Sequence, residues 1–409
     1  MSEKEINTIE EYVEILKKYM GKVYINEWGT AMAGPNFPKP VVCFNTAVSR
    51  DSIKHFVDAI GDLNPLYRDR EYAKTTKYGT LVAPPTIFYT IVYGHYPEFA
   101  LPQFPTLYVG DSYEWFNPIA EGDEIDWRTT FPIDIQVKQT RMGGKTAFCY
   151  GKHEFVRHAG GVPLGECQFR TVYVKMSEAP YAERNGNAST AVIPEYTEEY
   201  IQKVYDAQDK ELVWGAKPHY WEDVTVGEEL APVVRGPFTV SECVAWIKAA
   251  SQYYFCSDRL HRFIHDHTGW GIYHPKLKVY LNFHENIFDN WGALAAQTEG
   301  SYTPGGLGSQ RSSWVSMMLT NWMGNEGFLW KLDTNHIRKG GYGNVFWCKG
   351  KVAAKHHEHG RYWVDVDCHI EDQTGGMVLK GSASVLLPSR EGGGVIYPCP
   401  QKAFGSFVK

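Results

Sequence analysis

The stretch AIGDLNPLYRD, Ala59–Asp69, ends an amphipathic run and sets a Gly-Asp-X-Asn-Pro corner ahead of an aromatic residue and a second carboxylate. An asparagine that precedes proline is pushed out of helix geometry, and Gly61 tolerates backbone angles closed to other residues, so the chain changes direction here. Asp62, Asn64, Pro65 and Tyr67 are grouped at that break. Such a corner serves either as a plain turn or as the wall of an active site, and the rest of the chain has to arbitrate.

Upstream, Ile53, Phe56, Val57 and Ile60 recur at helical spacing and predict a helix over Arg50–Ile60. A capping box of Thr8 and Glu11 ahead of Ile9, Tyr12, Val13, Leu16 and Met20 predicts an amphipathic opening helix, and PVVCFNTAVS (40–49) reads as a short strand between the two. Downstream come a short helix in EYAKTTKYG, a glycine turn and an apolar helix entered through Pro84 and Pro85. From Thr106 to Lys175 the pattern alternates as strands do. The polar, small-residue segment 177–195 reads as a linker, with a helix over 196–211 after it. The order then recurs: a helix capped by Thr239, a glycine-broken block ending in SSWVSMMLTNWM, and strands in NVFWCKGKVAAKHH, RYWVDVDCHIED and MVLKGSASVLLP. The halves read as degenerate copies of one unit, residues 1–178 and 215–390, with 179–214 between them and a tail over 391–409.

FVDAIGDLNPLYRDREYAKTTKYGTLVAPP resembles the signature of the MaoC-type acyl dehydratases and (R)-specific enoyl-CoA hydratases, and GDSYEWFNPIAEGDEI with Gly122 and Asp123 extends the likeness. SQRSSWVSMMLTNWMGNEGF, KGKV and GSASVLLPSR are similar to the second half of the family's double-domain members. The resemblance implies an α+β chain of two tandem hot-dog folds, each a long helix wrapped by an antiparallel sheet, packed edge to edge. It also implies an acyl-thioester substrate. In that family an Asp/His pair on the corner moves the proton, and a backbone N–H at a glycine-initiated helix start polarises the thioester carbonyl. Asp62 holds the aspartate position here, whereas Tyr67 stands where the histidine belongs, and a phenol titrating near 10 is a poor neutral-pH base.

The resemblance also implies that in double-domain members an NPLY corner lines the substrate side while the second half carries the dyad. There the direct match, Asn290–Trp291–Gly292, has lost both groups, and His284 with Glu285 or Asp289 as its orienting carboxylate offers a replacement base. Gly308 is the expected oxyanion donor, Asn64, Pro65 and Arg311 contact substrate, and Asp62 and Tyr67 line the acyl tunnel or share in the chemistry. Arg311 pairs with an acid across the seam or reaches a coenzyme A phosphate.

Composition narrows the function further. Over 409 residues, 43% hydrophobic and 22% charged side chains describe an ordinary globular chain of two or three domains, and a net charge of -6 lacks the basic face of a nucleic-acid binder. The first residues carry no signal-peptide core and no run of about 18 apolar residues occurs, so a cytoplasmic protein is expected, off the membrane. Eight unpaired cysteines without a CxxC spacing read as free thiols, and His265, His267, His356, His357 and His359 lack the spacing of a preorganised metal site. The expected function is a cofactor-free hydro-lyase on a coenzyme A or carrier-protein thioester, its acyl group bulky or aromatic given 14% aromatic residues. A non-catalytic thioester-binding subunit and a hot-dog thioesterase are the alternatives. The expected assembly is a homodimer, alone or with a related MaoC-like subunit.

Overall fold

In the computed structural model, residues 6–25, 45–92, 104, 106–140, 144–175, 194–250, 258–268, 272–274, 277–281, 308–338 and 340–407 are described. The alternating run after Thr106 becomes strands β2 (Thr106–Trp115), β3 (Ile125–Thr140), β4 (Gly144–Arg157) and β5 (Pro163–Val174), preceded by β1 (Val23–Ile25). The second half supplies β6 (Val233–Arg235), β9 (Phe328–His336), β10 (Phe346–Glu358), β11 (Arg361–Asp372) and β12 (Met377–Leu386), while β7 (Ile272–His274) and β8 (Val279–Leu281) form a separate hairpin.

The ten strands make one antiparallel sheet in the order β1-β3-β4-β5-β2-β9-β12-β11-β10-β6. Read outward from the centre, β2-β5-β4-β3-β1 is matched by β9-β12-β11-β10-β6, so the two halves are topological copies. Their edges meet where β2 pairs β9, from Gly110 opposite Asn335 to Glu114 opposite Lys331. Edge pairing satisfies the backbone groups that each half alone would leave exposed. Arg170 pins the seam from β5, donating to Ser112 Oγ (3.1 Å) and Asp333 Oδ2 (3.0 Å).

On the inner face lies the Gly308–Met323 helix, buried at every position from Ser309 to Met323. It packs on β9 and β10 and against the Arg50–Ile60 helix of the first half. A helix enclosed on all sides shows no amphipathic stripe, so its serines and threonines turn inward: Ser313 Oγ donates to Ser309 O (2.9 Å) and Thr320 Oγ1 to Met317 O (3.1 Å). The equivalent first-half element, expected as a helix after Pro84, is a 3-10 helix over Pro85–Thr90, and residues 93–103 lie outside the described set.

Other departures have local causes. The strand expected at 40–49 leaves, within the described residues, only the bridge Ala47–Glu124, while β1 was hidden behind the exposed Val23. Strand β9 follows the central helix after only a Gly324–Gly327 turn, and sequence reading passed over it. The 198–209 helix packs Val204 against Val234 and Val345, so it belongs to the second half's surface and not to a free linker. Within the tail, Phe404 returns to Phe116 of the first half (ring centroids 5.9 Å). His356 pairs with Asp365 (2.7 Å) and His357 stacks on Tyr362, which gives that cluster structural partners.

At the corner the local chemistry dictates the path. Gly61 caps the Arg50–Ile60 helix at φ 70°, ψ 31°, Asn64 Oδ1 accepts the Leu66 N–H (3.0 Å), and Asp69 Oδ1 accepts those of Glu71 (2.8 Å) and Tyr72 (3.1 Å). The second carboxylate of the opening stretch is therefore a helix cap. Alanine at 61 would hold a left-handed conformation with its Cβ 3.1 Å from Arg235 Nε. Gly61→Ala is expected to lower stability by about 1–2 kcal/mol in urea unfolding; an unchanged midpoint would show that the corner relaxes freely.

Candidate active site

The corner docks on the second half's central helix. Arg235, at the end of β6, donates through Nε to Ile60 O (2.9 Å) and through Nη2 to Gly61 O (2.9 Å), while Glu211 pairs with its guanidinium. Asn64 Nδ2 donates to Asn321 Oδ1 across the halves (3.1 Å). These contacts hold Asp62 out of water, at 1% exposure. Its Oδ1 accepts the Asn64 N–H (2.9 Å), and its Oδ2 has no partner in good hydrogen-bond geometry. Burial pushes the carboxyl up to about 6, against the pull of the Asn64 N–H, the Arg235 and Arg68 charges and the Asn321 amide. The result is a carboxyl group that changes charge near neutrality.

Tyr67, 4% exposed, is driven the other way from a base: burial and then Asp62 raise its hydroxyl well above the ordinary phenol range, with Thr320 opposing. Arg68, the one nearby cation that sequence reading found for it, instead bonds Asp62 O and Asp58 Oδ1. Tyr67 is thus a neutral donor. It lines, with Asn64 and Leu66, a narrow cleft with a cavity volume of about 40 Å³, whose other walls include Ala83, Pro85 and Trp115 of the first half and Thr320, Met323 and Phe328 of the second. The first half's helix start offers this cleft few backbone donors. Pro84 and Pro85 have no N–H, and the Ala83 N–H is taken by Ile119 O (2.8 Å). Side-chain donors have to do that work.

The family described as "FAS1-like, dehydratase domain region" matches residues 32–163, the part that contains this corner. A UPF0336 protein from Parafrankia sp. (strain EAN1pec) is 32% identical over 127 residues, 29% of this chain and 80% of the relative. Another from Thermobifida fusca (strain YX) is 33% identical over 125 residues, 28% of this chain and 70% of the relative. The chain belongs to the family of these UPF0336 proteins. Among solved structures, one described as a MaoC-like dehydratase aligns with a TM-score of 0.56 at 15% identity, over 90% of this chain and 99% of its own. A conserved hypothetical protein from Mycobacterium tuberculosis, described as a double hotdog fold, aligns at 0.51 and 11% identity, covering 90% of this chain and 96% of that one. At those identities the likeness shows the fold: this chain is a double hot-dog.

Of the residues read from the sequence, Asp62, Asn64, Pro65 and Tyr67 come together, with Pro65 as the first residue of the short helix that carries Tyr67. His284, Glu285 and Asp289 lie outside the described residues. Gly308 does begin the central helix, but Thr320 and Asn321 mark the end that meets the corner. Thirteen residues at 1.5 Å each separate Gly308 from Asn321 by about 20 Å, so its N–H does not serve a thioester held at Asp62. Arg311 is 4% exposed, close enough to Cys243 and His336 to shift their titration, and so buried that a solvent-borne coenzyme A phosphate does not reach it. The site residues that sequence reading missed, Asn321, Thr320 and Arg235, carry no local motif. Asn321 sits in TNWMG like any helix-end polar residue, and only the packing of the halves brings it to Asn64.

Proposed function

We propose that this chain is an acyl-thioester hydratase/dehydratase whose reaction centre is the Asp62 corner. The observation that supports it is the Asp62 carboxyl, buried with one unpartnered oxygen on the corner whose Asn64, Leu66 and Tyr67 line a cleft walled by both halves. Proton transfer at neutral pH calls for a group titrating close to 7; this argument favoured a histidine in sequence reading, and a carboxyl raised to about 6 meets it instead. In hydration, ionised Asp62 takes a proton from water as the water oxygen bonds to the β carbon of a 2-enoyl thioester. The Tyr67 hydroxyl and the corner's side-chain amides donate to the thioester oxygen while enolate charge builds. Protonated Asp62 then delivers the proton to the α carbon, and dehydration is the reverse. Coenzyme A or a carrier protein is the expected thiol; the acyl group, read as bulky or aromatic from composition, faces Trp115, Tyr78 and Phe328 in the cleft.

Incubation with a series of 2-enoyl-CoA thioesters, following the conjugated absorbance and free thiol together, tests this reading. Loss of absorbance without thiol release is expected. Thiol release would identify a thioesterase, and binding with neither signal a non-catalytic thioester-binding subunit. The pH dependence has a definite sign. Asp62 acts ionised, so the hydration rate rises with pH through about 6 and then levels. Because its folded pKa lies above the unfolded value of 3.8, the folded state binds the extra proton between the two, and stability falls as pH rises through that window. Paired pH-rate and pH-melting curves check both; a rate that climbs only above pH 8 would exclude Asp62 as the base.

A further inference from the structure

A cleft of about 40 Å³ holds about three waters and no acyl chain, so part of its wall gives way when a thioester enters. Most of that wall is fixed. Thr320 and Met323 belong to the buried central helix, Trp115 and Leu329 to the paired strands β2 and β9, and the Ala83 N–H is tied to Ile119 O (2.8 Å). The side chains of Phe328 and Tyr78 differ, because a segment outside the sheet rests on them. Tyr397, itself no part of the wall, sets its ring at 62° to that of Phe328 with centroids 4.9 Å apart. Its hydroxyl comes close enough to that of Tyr78 to shift its titration.

That segment follows β12. It opens with Gly392, Gly393 and Gly394, the middle one at φ 80°, and parts from the sheet after a bridge between Ser389 and Gly393. Three successive glycines resist backbone rotation less than any other three residues. Residues 395–400 take no regular secondary structure. Ring contacts seat the segment at two places, Tyr397 on Phe328 and Phe404 on Phe116 (5.9 Å). Phe116 follows the last residue of β2 and Phe328 is the first of β9, the strand beside it, so the segment spans the seam at the end where the cleft lies. A glycine root, two ring contacts and no strand pairing between them describe a piece of chain that detaches at low cost.

We propose that residues 392–404 are an autoinhibitory strap: Tyr397 presses Phe328 and Tyr78 into the corner cleft, and the strap swings out on its glycines when an acyl chain displaces those two rings. Strap and acyl chain compete for one volume, so the apparent affinity is the intrinsic one scaled by the fraction of molecules whose strap is lifted. Each contact that seats the strap therefore weakens binding. The effect grows with the acyl chain, because coenzyme A without an acyl group needs none of that room. The choice of an acyl thioester as occupant rests on the reading proposed above, whereas the strap itself rests on the hinge, the ring contacts and the size of the cleft.

Calorimetric titration of the full chain with coenzyme A, butyryl-CoA and octanoyl-CoA tests it, since these saturated thioesters have no double bond to hydrate. Tyr397→Ala is expected to tighten octanoyl-CoA about tenfold, the equilibrium value of one good aromatic contact, butyryl-CoA less, and coenzyme A not at all. Phe404→Ala frees the far end of the strap without touching a cleft wall. It should act in the same direction, and it keeps the test decisive if Tyr397→Ala does not fold. In the wild type, octanoyl-CoA should speed tryptic cleavage after Lys402, within the strap. A residue that only supported the fold would not, on removal, tighten binding in proportion to chain length. Equal octanoyl-CoA affinity in the wild type and the folded variants overturns the proposal. So do an equal tightening of coenzyme A, cleavage that stays constant or slows, and absence of octanoyl-CoA binding in every form. Failure of the corner reading looks different: Asp62→Asn then keeps the wild-type hydration rate on crotonyl-CoA, while Tyr397→Ala still binds octanoyl-CoA more tightly than the wild type.

Discussion

Asp62→Asn should lower the hydration rate on enoyl-CoA thioesters by about 10²- to 10⁴-fold, the usual scale for removing a general acid-base group, without lowering the melting temperature at pH 7. The two halves of this expectation share one cause. The fold holds Asp62 at 1% exposure and lifts its pKa from 3.8 to about 6. Keeping that carboxylate ionised at neutral pH opposes folding by roughly 3 kcal/mol. Asparagine has nearly the same shape, still accepts the Asn64 N–H through its carbonyl oxygen, and carries no charge to desolvate. A variant as stable as the wild type or more so, yet inactive, is the signature of a residue kept for function. A variant that is both less stable and fully active would make Asp62 a structural corner residue and remove the proposed base.

Arg235→Met is expected to give the largest loss of stability, about 3–5 kcal/mol. Arg235 is 9% exposed, and its guanidinium faces Glu211 in a pair that neither solvent nor salt reaches well and is the donor to the carbonyls of Ile60 and Gly61. Methionine fills the space but leaves the Glu211 carboxylate with only the Val234 N–H (2.9 Å) and leaves two corner carbonyls without their donor. Removing both charges, in Arg235→Met with Glu211→Leu, should restore part of the loss, because an apolar pair imposes no unpaired buried charge. Denaturant unfolding of the single and double variants checks this. A single-variant loss below about 1 kcal/mol would mean that the pair behaves as a surface bridge, and that the corner is held by Asn64 and Asn321 instead.

Much of the fold follows from local rules that act within a few residues. Ser49, Thr8 and Thr239 cap their helices with side-chain oxygens, Gly61 ends the Arg50–Ile60 helix because left-handed geometry is open to it, and alternation in 106–175 settles which strand face is buried. The likeness between GDLNPLY and the MaoC-type signature carried that local reading to a double hot-dog. The strand that joins the halves escaped notice, because FLWKLDTNH pairs with β2 across more than two hundred residues and its burial depends on that partner.

The site divides in the same way. That Asp62, Asn64 and Tyr67 share a corner is written in Gly61 and Pro65, since backbone geometry alone brings them together. Whether Asp62 is a turn residue or a base depends on its solvation, which Arg235, Asn321 and Thr320 of the other half determine by closing over it. The pKa of a carboxyl responds to everything within several ångströms of it, whatever the distance along the chain. Tyr397 makes the same point from the other side of the cleft. In the sequence it is one of 26 tyrosines, in a stretch read as a tail, and only the pairing of β9 with β2 and the return of the chain after β12 bring it onto Phe328, because whether a side chain closes a cleft is a property of distances that no single segment contains.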